Sequence, residues 1–497
     1  MSLMSIDIGT TGCKVIAFTA EAEIIASAYR EYPLIHPKPG WLELDSNDVW
    51  EKVASAVREV TAATKRDPVR ALAVCSQGEA VTPVAKDGTI LDNTILTFDS
   101  RTAGLEKRWV ERFGRENVLR ITGIPPSHIS TTPKLLWLKE NKPEVYGKAW
   151  KFLFYEDFAY FKLGLDPAID LSLAGRSMML DIEKGDWSEE MLGEIGFDKE
   201  RLARVLPSGS EVGRIGKKAA KELGLPEGAL AVAGGHDQPA GALGSGVIAP
   251  NLAMDATGTV ECITAAFTEH IVNEKMVENN FCSYPHTVDG MYVCLAYNFT
   301  GGCLLRWFRD TFGEVEVAEA ERQGVDPYEV LLSKIPEEPT RLLLLPHFTS
   351  TGTPYLDPNP TGAIIGLDLS TKKEEIVKAI LEGVTLELKL NMHLMREAGM
   401  EVNELRAIGG GAKSEKWLQL KADVFDREVL SLDVSEAASL AMAMLAGVAV
   451  GEYKDVQEAV GLLVKEKKRF FPNKEKVRRY EEMFEKYRKL YPLMKQI

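Results

Sequence analysis

Residues Met4–Phe18 read MSIDIGTTGCKVIAF, and residues Leu252–Phe267 read LAMDATGTVECITAAF. Each stretch is an apolar run, an aspartate, a Gly/Thr turn and a second apolar run. Aligning Asp7 with Asp255 gives an offset of 248, about half of the 497 residues. Taken alone, either stretch is equally a plain β-hairpin with a Gly/Thr turn. The echo, one copy per half, predicts a duplicated fold that holds something phosphorylated between its halves. The residue types suit that chemistry. Gly9 and Gly258 allow backbone conformations that a Cβ disfavours, so a tight turn can aim several N–H groups at one anion. Thr10, Thr11, Thr257 and Thr259 add hydroxyl donors. Asp7 repels phosphate unless a hard cation lies between them, and Mg²⁺ takes carboxylate, phosphate and water oxygens.

The length implies at least two large domains and ample core. Hydrophobic residues at 45% and charged residues at 27% fit a soluble globular protein. The net charge of −14 argues against a nucleic-acid or anionic-membrane partner, while a few local cations and Mg²⁺ suffice for a nucleotide. No apolar stretch approaches the ~20 residues of a membrane span. The N-terminus lacks the features of a secretion signal. Met1-Ser2-Leu3 ahead of Met4 reads as an expression leader. The cysteines (Cys13, Cys75, Cys262, Cys282, Cys294 and Cys303) form no C-x-x-C pair and read as reduced core residues of a cytoplasmic protein. None of the seven histidines lies in H-E-x-x-H.

Strand-like and helix-like runs alternate throughout, which predicts an α/β protein. Helices are expected over 48–64, 372–398, 435–450 and 480–491, and buried strands over 69–75, 229–233 and 405–408. The helix over 435–450 is rich in small residues and suited to close packing. A Gly/Pro-rich stretch, 243–252, places the domain boundary, giving domains 1–246 and 247–497.

Ligands of open α/β sheets gather at the carboxyl ends of strands. Gly234-Gly235-His236-Asp237-Gln238 sits at such an end. Asp237 there can take a proton from a hydroxyl that attacks a phosphoryl group, or it can cap the following helix. Gln238 can serve sugar hydroxyls. Ser76-Gln77-Gly78-Glu79 follows another strand and reads either as a polyol-binding loop or as a plain one. Asp99 and Arg101 read as a second polar cluster or as a structural ion pair. Gly409-Gly410-Gly411-Ala412-Lys413-Ser414 fails the Walker A pattern, yet its glycines allow close approach by a flat ring or a phosphate. Gly301-Gly302 has the same character.

In this order the motifs resemble those of the FGGY carbohydrate kinases, members of the actin-like ATPase superfamily. The resemblance runs from Ser5 to about Gly451. Residues 7–11 and 255–259 look like the two phosphate loops, and 235–238 look like the catalytic G-x-D-Q. PKLLWL (133–138) and GAIIGLDLSTKKEEIVKAILE (362–382) resemble the family signatures, and 409–412 the adenosine turn. The resemblance implies two duplicated ribonuclease H-like (actin-like ATPase) domains flanking a cleft. It makes Asp237 the general base and Asp7 the Mg²⁺-orienting carboxylate. Thr10, Thr11, Lys14, Gly258 and Thr259 are then expected on the phosphates of ATP. Gly302, Arg306, Gly411, Ala412 and Glu415 are expected around the nucleotide. Gln77, Gly78, Glu79, Asp99 and Gln238 are expected around the sugar, beside Asp237.

Two departures bear on the substrate. Glycerol kinases carry Arg-Glu where this chain has Gly78-Glu79, and Tyr where it has Ile129. Of the Gln-Met-His typical of xylulokinases it keeps Gln77 alone, although Trp41-Leu42-Glu43-Leu44-Asp45 is xylulokinase-like. The expected activity is ATP-dependent phosphorylation of a small sugar, with a ketopentose (xylulose or ribulose) as the leading substrate. Gluconate, erythritol and glycerol are the alternatives, and a homodimer is the candidate assembly. A non-catalytic sugar and nucleotide sensor and a chaperone-like ATPase are the competing classes.

Overall fold

The computed structural model of the chain describes residues 2–496. The first hairpin pairs β1 (Ser2–Ile8) with β2 (Gly12–Phe18) and sets Asp7 opposite Lys14. β3 (Ile24–Glu31) extends it on one side. On the other side β4 (Val69–Ser76) and β6 (Leu230–His236) run parallel, with β5 (Glu211–Arg214) antiparallel at the edge. The order is therefore β5-β6-β4-β1-β2-β3.

The second half repeats this arrangement. β7 (Leu252–Thr257) and β8 (Glu261–Phe267) form the second hairpin. β9 (Tyr284–Pro285) and β10 (Tyr292–Asn298) continue antiparallel, while β11 (Glu404–Gly409) and β12 (Glu428–Leu432) run parallel on the far side. β13 (Glu466–Phe470) closes the edge. Three antiparallel and two parallel strands thus make the core of each sheet, β3-β2-β1-β4-β6 and β10-β8-β7-β11-β12. The central strands are buried on both faces and read as near-continuous apolar runs, as parallel strands covered by helices must.

The helices follow their sequence signals with shifted ends. α1 (Ser46–Ala63) starts two residues before the expected position because the Asp45 carboxylate accepts the Asn47 N–H. Its buried face carries Val49, Val53, Ala56, Val57 and Val60. α2 (Thr131–Asn141) holds the first signature, α3 (Asp237–Gly244) follows β6, and α4 (Gly302–Phe312) follows the Gly301-Gly302 turn. α5 (Lys373–Glu397) and α6 (Glu415–Phe425) flank the second sheet. α7 (Ala437–Ala449) is the small-residue helix. The helix expected over 480–491 is Lys474–Tyr487 instead (α8), started by the Asn473 cap. Pro492 cannot supply the N–H that a continuing helix needs, and a separate turn, Leu490–Met494, follows.

α3 and α7 hold corresponding places in the two halves, each after the last core strand of its sheet. They pack on one another, and α7 also lies against β1 and β4 of the first sheet. Small residues make this possible: a Cβ on Gly244 would sit 1.8 Å from the Ala437 carbonyl oxygen. The interface between the halves is thus a helix pair at the base of the cleft. Of the expected leader, Met1 lies outside the described residues, while Ser2 and Leu3 belong to β1 and Leu3 is in the core. Among the described residues no helix is long and apolar enough to cross a membrane.

Candidate active site

The register sets the geometry. Asp7 on β1 pairs with Cys75 on β4, and Cys75 pairs with Gly235 on β6. Asp7 and the end of β6 are thus two strands apart, about 10 Å at ordinary strand spacing. The chain leaves β6 at His236, which occupies the N-cap position of α3 without a side-chain cap bond. Asp237 is already the first residue of the helix, and its side chain is 33% exposed. The capping alternative therefore fails. Burial, then the carboxylates of Asp7 and Glu79, push Asp237 up to about 7. Burial likewise pushes Asp7 up to about 6, with the Cys75 hydrogen bond and the Lys14 charge opposing it and Glu436 adding to it.

His236 is the neighbour that sequence reasoning missed. It is buried, and burial and the Arg176 charge hold its imidazole well below the usual range, so it is neutral. Its Nε2 lies 3.2 Å from Asp237 Oδ1, and its Nδ1 lies 2.9 Å from the Tyr284 hydroxyl. The arrangement is satisfied when Tyr284 O–H donates to Nδ1 and Nε2–H donates to Asp237. Tyr284 comes from β9 of the second sheet, so both halves orient the carboxylate.

Gln77 and Asp99, expected around the sugar, are both engaged by groups of the protein itself. Gln77 spends its amide on the first turn: Nε2–H donates to the Gly9 carbonyl at 3.1 Å, and Oε1 accepts from Thr10 at 3.1 Å. It braces the phosphate turn. Asp99 is fully buried, with Oδ1 accepting from Arg101 Nε at 2.8 Å and Oδ2 accepting from the Leu42 N–H at 2.6 Å. Arg101 also pairs with Glu43 at 2.8 Å and stacks on Trp41, so Asp99 belongs to a structural ion-pair cluster. Gly78 and Glu79 lie close to Asp237. The Glu79 carbonyl accepts from Thr131 at 2.9 Å and from Lys134 at 3.1 Å, which ties the signature helix α2 to the site. Among the described residues Gln238 Oε1 is buried with no hydrogen-bond partner, an acceptor left free to take a donor. Arg176 pairs with Glu79 (Nε to Oε1, 2.7 Å) and lies outside every sequence motif.

At the phosphate end, Gly9 N–H donates to Gly12 O (3.0 Å) and Gly258 N–H to Val260 O (2.9 Å). Neither glycine has a positive φ, contrary to the expectation from their type. At Gly9 space is the constraint, since a Cβ would lie 3.2 Å from the Gly12 oxygen. Thr11, Gly258 and Thr259 are exposed, and Thr10 and Lys14 are half-buried. Gly302 N–H donates to Gly258 O at 2.8 Å, joining the start of α4 to the second turn. Gly411 abuts Thr257, Ala412 is half-buried and Arg306 is exposed. Glu415 is paired with Lys468 at 2.6 Å.

The twin aspartates have opposite fates. Lys421 Nζ lies 2.6 Å from both Asp255 Oδ2 and Glu261 Oε1, all three fully buried. Asp255 is thereby engaged in a buried ion-pair cluster, a contact that Asp7 does not share. Among the described residues no group of three or more His, Cys, Asp or Glu side chains is placed to hold a metal.

Sequence models of the FGGY family of carbohydrate kinases match residues 2–244 as its N-terminal domain and 254–450 as its C-terminal domain. The chain belongs to the FGGY family of carbohydrate kinases. It is therefore an ATP-dependent phosphotransferase acting on a carbohydrate. This FGGY kinase is 28% identical over 491 residues to the xylulose kinase of Bacillus subtilis, covering 98% of this chain and 96% of that protein. It is 26% identical over 482 residues to the gluconokinase of the same organism, covering 96% and 93%. Its fold matches the ligand-bound xylulose kinase of Lactobacillus acidophilus with a TM-score of 0.89 at 23% identity, over 98% of this chain and 97% of that one. The duplicated two-domain kinase architecture expected from the motifs is thus the observed one.

Proposed function

We propose that this FGGY kinase transfers the γ-phosphoryl group of ATP to a hydroxyl of a ketopentose, xylulose first, with Asp237 as general base. One observation carries the reading: Asp237, a third exposed, follows a strand end within electrostatic reach of Asp7, with its proton affinity raised to about 7. A carboxylate so placed accepts a proton near neutral pH. The xylulose kinases among its relatives support the ketopentose.

Asp237 takes the hydroxyl proton as that oxygen bonds to the γ-phosphorus and the bond from phosphorus to the bridging oxygen of ADP breaks. His236 holds Oδ1, which leaves Oδ2 for the substrate. Gly78, Glu79 and Gln238 border the sugar in domain 1–246. Mg²⁺, when held by Asp7, neutralises charge on the phosphate oxygens. Thr10, Thr11 and Lys14 face the phosphates from the first domain, and Gly258 and Thr259 from the second. Gly302, Arg306, Gly411, Ala412 and Glu415 line the nucleotide pocket in domain 247–497. Closure about the α3–α7 pair excludes water and limits ATP hydrolysis. The six unpaired cysteines suit a cytoplasmic protein. A homodimer is the candidate assembly, checked by light scattering.

A coupled ADP-release assay with xylulose, ribulose, gluconate, erythritol and glycerol tests the reading. A ketopentose should give the highest kcat/KM. Absence of sugar-stimulated ADP release would favour a sensor.

A further inference from the structure

Gly78 leaves a gap beside the base, and two side chains fill it. A Cβ on Gly78 would lie 3.1 Å from His236 Nε2 and 3.4 Å from Arg176 Cγ. The stem of Arg176 therefore crosses next to the imidazole that holds Asp237. Its guanidinium lies over the Tyr284 ring, 5.2 Å from the centroid. Nε donates to Glu79 Oε1 at 2.7 Å and Nη2 makes an ion-pair contact with the same oxygen, while Nη1 has no hydrogen-bond partner among the described residues. Glu79 Oε2 is taken by Thr97 Oγ1 at 2.9 Å. The Glu79 side chain is 4% exposed and that of Arg176 12%.

The backbone is bent to make this pair. Glu79 has φ 62° and Met178, two residues after Arg176, has φ 62°. For residues with a Cβ this region is costly, and strain of that kind persists where surrounding contacts hold it. Arg176 also lines a cavity of about 30 Å³ with Ile129 of the first domain and Tyr297 and Leu356 of the second. That is room for about one hydroxyl-sized group. Arg176 thus borders a space lined by residues of both halves.

We propose that Arg176 is a specificity-determining residue: its free guanidinium edge donates to an oxygen of a neutral sugar distal to the phosphorylated hydroxyl. Glu79 is the positioning residue that aims Arg176 and cancels its charge. The net charge of the pair is zero. A sugar hydroxyl gains a charge-assisted hydrogen bond there at little cost. An aldonate carboxylate meets Glu79 as well as Arg176, and the repulsion offsets the attraction. The clamp therefore selects ketoses over sugar acids. This inference rests on the sugar-kinase reading above.

The experiment compares the parent with Arg176→Gln, Arg176→Lys and Glu79→Gln, using ADP release with xylulose, ribulose and gluconate, and ADP binding by calorimetry. Arg176→Gln should raise KM for the better ketopentose by about tenfold or more, the loss of one hydrogen bond to a charged group. Its kcat should change by less than about threefold, since a distal contact is made equally in ground and transition states. Arg176→Lys should recover part of the KM. Glu79→Gln should shift the gluconate-to-ketopentose ratio of kcat/KM by about tenfold or more towards gluconate. ADP affinity close to that of the parent certifies the fold of each variant. If Arg176→Gln does not fold, the ratio in Glu79→Gln decides. An unchanged ketopentose KM in folded Arg176→Gln, or an unmoved ratio in Glu79→Gln, overturns the inference alone. No sugar-dependent ADP release by the parent overturns the kinase reading with it.

Discussion

Lys14 Nζ lies 2.7 Å from Glu436 Oε1, joining the first hairpin to the residue that precedes α7, 422 positions later. The same lysine stands opposite Asp7 across the hairpin. Both partners are about a third exposed, at 29% and 31%. A pair so wetted contributes about 0–1 kcal/mol to stability. Lys14→Ala should therefore leave the melting temperature almost unchanged. It should raise KM for ATP about tenfold, through the loss of one phosphate contact. A large drop in melting temperature with normal KM would make Lys14 a structural strut instead.

Asp237→Asn should lower kcat for sugar phosphorylation on the order of 100- to 10,000-fold, the usual worth of a general base. ADP affinity measured by calorimetry should stay near that of the parent. Near-normal turnover would remove Asp237 from the mechanism.

The raised proton affinities of Asp237 and Asp7 set a pH dependence. The base must be ionised, so kcat/KM for the sugar should fall on the acid side of a limb near pH 7. Asp7→Asn removes a like charge and should move that limb to lower pH in the residual activity. Stability has the opposite slope. Asp237 ordinarily titrates at 3.8 and in the fold at about 7. Between these values the folded state binds more protons, so stability falls as pH rises through that window. Asp237→Asn should therefore melt above the parent at about pH 8 and lose that advantage at about pH 4. A melting difference independent of pH would contradict the raised proton affinity of this carboxyl.

Lys421 is the counter-ion for two buried carboxylates, Asp255 and Glu261. Burial opposes its charge, and the two carboxylates outweigh burial, so its proton affinity is raised. Lys421→Met leaves both acids uncompensated and should destabilise the fold by about 3–5 kcal/mol. Adding Asp255→Asn and Glu261→Gln should return much of that loss in denaturant unfolding. Failure of the triple variant to recover would point to packing by the Lys421 stem.

The sequence by itself determined the architecture. Apolar runs of strand length, Gly/Thr turns and the echo of Asp7 in Asp255 are local patterns, and secondary structure is a local outcome. Hence the hairpins, the strands expected over 69–75 and 405–408, and the placement of Asp237 at a strand end were all legible. Helix ends moved by a few residues where caps such as Asp45 and Asn473 intervened. The division of labour among the polar residues was decided only in three dimensions. Asp7 and Asp255 look alike in sequence, and Lys421, 166 positions beyond Asp255, silences one of them. Gln77 and Asp99 look like sugar readers, yet the Gly9–Thr10 turn and Arg101 consume them. Arg176 carries no motif at all and meets Glu79 from 97 positions away. Charge and hydrogen bonding act through space over a few ångströms. The duplicated turns therefore announced where the cleft is, and the folded chain decided which of their groups remain free to work in it.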